Sequence, residues 1–213
     1  MLPERLRYLA VEGPIGAGKT SLARAISARL RARLLLEQPE ANPFLARFYE
    51  DPERHALATQ LFFLFQRVNQ VSELNQQDLF SGRAVADFIL DKDALFAQLT
   101  LADQELALYR GIHGHLVPRV PAPDLVIYLQ ASPETLVERV RRRGVGYESG
   151  LTEDYLTRVA EAYSRFFHRY DAAPVLIVNS DHLNFVDERG DLDLLLAQVG
   201  EMRGSRAFFN LGD

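Results

Sequence analysis

Gly13-Pro14-Ile15-Gly16-Ala17-Gly18-Lys19-Thr20 follows the apolar run Tyr8-Leu9-Ala10-Val11 directly and opens a helical pattern from Ser21 to Leu30. A complete G-x-x-x-x-G-K-[ST] sequence between a strand and a helix is the setting of a P-loop, and it commits the chain to a strand–loop–helix unit inside a larger α/β sheet. Glycines let backbone N–H groups turn inward around phosphate oxygens, and the helix N-terminus adds unpaired donors and a partial positive charge. The segment from Gly13 to Ser21 is thus read as a nucleoside triphosphate cradle. Lys19 is set against the β and γ phosphates, with the Thr20 hydroxyl on a Mg²⁺ ion that bridges them.

Of the 24 basic residues only Lys19 and Lys92 are lysines. A compact ammonium enters a phosphate cradle where a planar guanidinium fits poorly, so the lysine at position 19 is chemically required in a chain that otherwise uses arginine. With 213 residues, of which 47% are apolar, the chain is long enough for one well-filled core and short for two. Its net charge of −5 argues against a nucleic-acid or anionic-membrane partner, since either would attract a basic face. Without cysteine it has neither a disulfide framework nor a Cys-based zinc site. No stretch reaches the run of about 18 apolar residues that a membrane helix needs, and no apolar leader precedes the first strand; a cytoplasmic protein is expected.

Five apolar runs read as buried strands: 8–11, 33–36, 83–86, 124–129 and 174–178. Helical patterns separate them at 21–31, 52–79, 92–109, 133–143, 153–170 and 187–202, the second with an apolar stripe of Leu57, Leu61, Leu64, Val68 and Val71. Ser132 before Pro133 is a helix N-cap signal. The alternation predicts an α/β fold: a five-stranded parallel sheet with helices on both faces, formed by a single domain over residues 1–202, with 203–213 as a tail in which Phe208 and Phe209 fold back on the body.

Ligands of such a sheet bind beyond the carboxyl ends of its strands. There the first strand offers the P-loop, the second Glu37 and the third Asp87. Asp87 is placed to hold Mg²⁺ with Thr20, because a hard cation takes carboxylate oxygens. Glu37 is placed to accept a proton from an incoming hydroxyl, with Glu40 as its competitor. The segment from Glu138 to Glu148 closes a helix in a basic, glycine-punctuated stretch, a candidate lid at about 139–151. Arg139 and Arg143, four apart, share a helical face and suit a common phosphate chain, whereas Arg141 and Arg142 are read as offsetting the helix dipole.

Taken together, the P-loop, Glu37 with Asn42-Pro43-Phe44, Tyr49-Glu50-Asp51-Pro52-Glu53-Arg54, Gln60, Arg67, Ala86-Asp87-Phe88, Asp93 and the arginine-bearing lid make the chain resemble the bacterial deoxynucleoside kinases. The resemblance spans nearly the whole length. It implies a P-loop kinase fold, ATP and Mg²⁺ as cofactors, and transfer of the γ-phosphate to the 5′-hydroxyl of a deoxynucleoside in nucleotide salvage. It makes Glu37 the base, Asp87 a metal-holding acid, and Arg139 and Arg143 the lid cations. It pairs Tyr49 and Glu148 with the sugar 3′-hydroxyl, lets Gln60, Arg67 and Asp93 read the base, and implies a homodimer.

Two positions depart from that pattern. Phe88 and Val145 stand where many relatives carry arginine, and Lys92 is the candidate for the compensating cation. The Asp-aromatic pair resembles the deoxyguanosine kinase branch, so a deoxypurine is favoured, deoxyguanosine slightly ahead of deoxyadenosine, with deoxycytidine as an alternative. A nucleoside monophosphate kinase shares the cradle and the lid but needs extra basic residues for an acceptor phosphate. A P-loop nucleotide switch needs mobile loops rather than an enclosed acceptor pocket.

Overall fold

A computed structural model describes residues 6–77, 82–116, 121–148, 150–183 and 189–210. Its sheet has the strands β1 (Tyr8–Glu12), β2 (Arg33–Leu35), β3 (Ala84–Ala86), β4 (Leu125–Gln130), β5 (Val175–Asn179) and β6 (Arg206–Phe209). They lie in the order β2-β3-β1-β4-β5-β6, and every neighbouring pair is parallel. Among the described residues the sheet therefore has six strands and not five. The added strand falls in the stretch expected to be a tail, where Ser205 O accepts from Val175 N at 2.9 Å and the ladder continues. Phe209 packs against the core, whereas Phe208 is 67% exposed.

The helices are α1 (Lys19–Leu30), α2 (Leu45–Glu50), α3 (Pro52–Gln77), α4 (Lys92–Thr100), α5 (Asp103–Leu116), α6 (Pro133–Arg143), α7 (Glu153–Arg169) and α8 (Arg189–Glu201). The single helix expected over 92–109 is two, because Leu101 takes an extended conformation and buries itself among Leu45, Phe48 and Leu64. Positions 78 and 79 of the expected second helix, and 187 and 188 of the last, lie outside the described residues. Ser132 does cap α6: its side chain accepts from Thr135 N at 3.3 Å, and Gly144 ends the helix in the left-handed region. None of the described helices is long and apolar enough to cross a membrane.

Two apolar layers sandwich the sheet. Leu9 and Val11 pack with Leu22, Ile26, Leu195 and Val199 on one face, and Ala10 packs with Tyr128, Tyr163 and Phe167 on the other. Their alternation along β1 is the period of a strand. Glu12, next in the second series, is a carboxylate with 0% exposure. A third cluster, built from Leu45, Phe48, Phe63, Leu64 and Tyr109, holds α2, α3 and α5 together beyond the sheet's carboxyl rim. The functional site opens between that cluster and the rim.

Candidate active site

At the head of β1 the chain turns so tightly that a Cβ on Gly13 would lie 2.5 Å from Leu129 O. Gly16, at φ +90°, passes just as close to the α6 backbone, with Leu136 O 2.9 Å from where its Cβ would be. Only glycine permits this combination of left-handed torsion and contact. Lys19 Nζ donates to Gly13 O at 2.8 Å and to Pro14 O at 3.0 Å, so the ammonium lies over the loop.

The carboxyl ends of β2 and β3 meet beside it. Asp87 Oδ1 accepts from Glu37 N at 2.7 Å, and its Oδ2 accepts from Thr20 Oγ1 at 2.5 Å. Burial holds the Asp87 pKa above the usual carboxylate range against these two hydrogen bonds. Among the described residues no group of three or more His, Cys, Asp or Glu side chains is gathered for a metal. One hydroxyl and one carboxylate held together form the sparse, all-oxygen donor set that suits Mg²⁺, which takes its remaining ligands from phosphates and water.

Glu37 is half-buried between two cations. Arg67 Nε donates to its Oε1 at 2.6 Å, and Lys92 Nζ lies 3.2 Å from the same oxygen. Burial alone would raise the Glu37 pKa, but the charges of Arg67, Lys92 and Lys19 outweigh it and bring it down to about 2. Arg67 also pairs with Asp93, which is fully buried behind it, and its guanidinium sits 4.8 Å from the centre of the Phe63 ring. Phe88 is wholly buried in an apolar cluster with Leu35, Val71 and Leu90, and it brings no charge to the site. Lys92, four residues on at the start of α4, does reach it.

Two cavities flank the P-loop. The first is lined by Lys19, Thr20, Glu37, Tyr49, Gln60, Arg67, Asp87 and Glu148, together with the aromatic rings of Phe63, Phe96, Tyr155 and Tyr163. The second runs along Ala17, Gly18, Ser21, Thr135, Arg139, Arg142 and residues 180–183. Gly16 and Arg143 line both. The site residues named from the sequence are thus brought to one rim. Asp93 meets the first cavity only through Arg67.

Arg139 and Arg143, the two arginines of the expected lid, are engaged differently from one another. Arg139 donates to Ser180 O at 2.6 Å and sits against the P-loop, while Arg143 pairs with Glu148 through Nε at 3.2 Å. Arg142, read from the sequence as a dipole partner, lines the second cavity. Three features escaped sequence reasoning: the aromatic lining, Arg142 and Glu12. The mark that the sequence carries for Glu12 is its place in E-G-x-x-x-x-G-K, an acid at the last strand position before a P-loop.

The profile of the deoxynucleoside kinase family matches residues 9–202. A deoxyguanosine kinase of Bacillus subtilis (strain 168) is 32% identical over 200 residues, covering 92% of this chain and 97% of the relative. A deoxyadenosine kinase of Lactobacillus acidophilus is 28% identical over 210 residues, covering 92% and 96%. Among solved structures, deoxyadenosine kinase from M. mycoides with the products dCMP and a flexible dCDP bound superposes with a TM-score of 0.80 at 23% identity, covering 92% of this chain and all of the other.

Proposed function

The chain belongs to the deoxynucleoside kinase family and is a phosphotransferase, and we propose from that premise that it moves the γ-phosphate of ATP to the 5′-hydroxyl of a deoxypurine nucleoside. The observation that carries this reading is the meeting of two cavities at Gly16 and Arg143, one enclosed by aromatic rings and the other open along the P-loop. An aromatic-lined cavity suits a base and sugar, and a polar groove on a helix N-terminus suits a triphosphate. Their junction is where a phosphoryl group would pass. An enclosed acceptor cavity is also what a nucleotide switch lacks.

Glu37 takes the proton from the 5′-hydroxyl, the oxygen forms its bond to the γ-phosphorus, and the bond to the β,γ-bridging oxygen breaks with its electron pair leaving on ADP. Lys19, Arg139 and Arg143 meet the charge that grows on the transferred group. Thr20 and Asp87 would hold Mg²⁺, which would supply positive charge to offset that of the phosphates. For Arg143 and Glu148 to serve phosphate and sugar respectively, their ion pair must open when both substrates are seated. Tyr49, packed edge-on to Tyr155 at 6.3 Å, closes the sugar end beside Glu148.

Gln60, Arg67 and Asp93 form the base-reading group. Gln60 supplies a donor and an acceptor. Arg67 donates to a carbonyl or ring nitrogen, as at O6 and N7 of guanine, and Asp93 fixes the arginine. Kinship with a deoxyguanosine kinase favours deoxyguanosine over deoxyadenosine. The dCMP bound to the M. mycoides enzyme keeps deoxycytidine in the comparison. A cytoplasmic homodimer belongs to the same reading, and the exposed Phe65 on α3 and Leu108 on α5 are apolar surface that a second copy would cover.

The test is a coupled assay with ATP against deoxyguanosine, deoxyadenosine, deoxycytidine, thymidine and their monophosphates. Phosphate appearing on a nucleoside, with deoxyguanosine ranked first by kcat/KM, is expected. Transfer to monophosphates only, or release of free phosphate only, would select the rival enzymes described above. Asp93→Ala should cost the preferred base about 1–3 kcal/mol in kcat/KM, because Arg67 loses its buried partner, and should alter the ranking. An unchanged ranking would remove this pair from base reading.

A further inference from the structure

Two buried charges behind Glu37 have no step in the transfer assigned to them. Glu12, the last residue of β1, and Lys92, the first of α4, are 0% and 2% exposed. Burial of an ion is expensive unless its hydrogen bonds are complete, and a cation in the first turn of a helix also opposes the helix dipole. This chain nevertheless places one of its two lysines there.

The network around Glu12 is complete. Its Oε1 accepts from Gly13 N and from Tyr163 Oη, both at 2.9 Å, and its Oε2 accepts from Ile89 N at 2.9 Å and faces Lys92 Nζ at 3.5 Å. One carboxylate thus ties together the first residue of the P-loop, the segment after β3, helix α7 and the ammonium on α4. From that anchor the ammonium reaches Glu37 at 3.2 Å. The charges alternate in a row: Asp93, Arg67, Glu37, Lys92, Glu12.

The two cations of Glu37 are not equivalent. Arg67 lines the cavity with its guanidinium shared between Glu37 and Asp93, and the base-reading role would draw it toward a bound base. Lys92 is held from behind by a carboxylate that is itself fixed by three backbone or phenol donors. It remains with Glu37 when Arg67 turns away.

We propose that Glu12 and Lys92 are a positioning pair for Glu37, in which Glu12 fixes the ammonium of Lys92 and the ammonium holds the Glu37 carboxylate toward the acceptor hydroxyl. The proposal rests on the reading of Glu37 as the proton acceptor. It assigns Lys92 to the transition state rather than to nucleoside affinity, and it assigns Glu12 an effect that passes through Lys92.

Steady-state kinetics at saturating ATP and Mg²⁺ test it on Lys92→Met, Glu12→Gln, their double variant and Glu37→Gln, each checked for folding by circular dichroism. Lys92→Met is expected to lower kcat about 10²-fold, as for loss of a preorganised charge, while the nucleoside KM stays within about threefold. Glu12→Gln should lower kcat about tenfold, and the double variant should match Lys92→Met within about threefold, because residues acting in series are not additive. Lys92→Ala should regain kcat saturably with added n-propylammonium. If Glu37→Gln keeps its kcat, the base assignment fails and the pair falls with it. If Glu37→Gln loses activity while Lys92→Met does not, or n-propylammonium has no effect, the pairing alone is overturned. Multiplicative losses for Glu12 and Lys92 would overturn the route through Lys92.

Discussion

Glu37 carries the sharpest conflict at the scale of single residues. Its depressed pKa, about 2, keeps it ionised through the neutral range, yet so acidic a carboxylate is a weak proton acceptor. The conflict eases if Arg67 leaves it for the base, since one of the charges lowering its pKa is then withdrawn. On the proposed roles, a base bound at Arg67 would thereby raise the basicity of Glu37. Glu37→Gln keeps the shape and removes the acceptor, so kcat should fall about 10²-fold or more with nucleoside binding nearly retained. Glu40→Gln is the control: Glu40 is exposed and does not line the cavity, and its kcat should match the parent. A loss in Glu40→Gln without one in Glu37→Gln would move the base. Lys19, Thr20, Glu37 and Asp87 were legible in the sequence because a motif or a strand end marks each of them. Glu12 was marked only by its place before the P-loop, and its network was not legible, because its partners Ile89 and Tyr163 lie 77 and 151 positions away.

At the scale of elements, the P-loop is held as much by its neighbours as by its own sequence. Gly16 passes under α6 at a left-handed torsion, so Gly16→Ala adds both strain and a contact at 2.9 Å with backbone. Strained torsions of this kind cost about 1–3 kcal/mol each, and the loop must also shift away from Leu136. Thermal or denaturant unfolding should show a loss of that size, together with a raised KM for ATP. Gly82→Ala, with nothing within 4 Å of its added Cβ, should stay within about 0.5 kcal/mol of the parent. Equal losses in the two would mean that α6 does not constrain the loop. The same dependence on neighbours explains which elements the sequence announced. The first five strands are apolar runs bounded by turns or helical patterns, and they were readable. Strand β6 is four residues long, begins with Arg206 and exposes Phe208, so composition alone gives it the look of a tail. The break between α4 and α5 has no glycine or proline to mark it. Packing of Leu101 into the third cluster sets it, and local periodicity runs straight across.

For the whole molecule, the distribution of tyrosine makes the fold sensitive to alkali. All eight tyrosines have raised pKa values, with burial as the largest cause in each. They are spread over the sheet, the third cluster and the first cavity, and Tyr163 hydrogen-bonds to Glu12 besides. A phenol whose folded-state pKa exceeds its unfolded value contributes stability that is complete below the unfolded pKa and is lost as pH rises through the folded one. For Tyr109 that window runs from 10.0 to about 12, and the more deeply buried tyrosines extend it upward. The effects share one sign and act on one cooperative unit, so stability should fall progressively above pH 10 with no comparable loss just below it. Tyrosinate absorbance should then appear in step with the loss of helical circular dichroism, as a steep transition displaced upward from the titration of free tyrosine. A shallow titration centred near 10 with the helices intact would mean that these phenols reach solvent in the folded state. The aromatic wall of the first cavity, which Tyr49, Tyr155 and Tyr163 help to build, would then be more open than their packing implies.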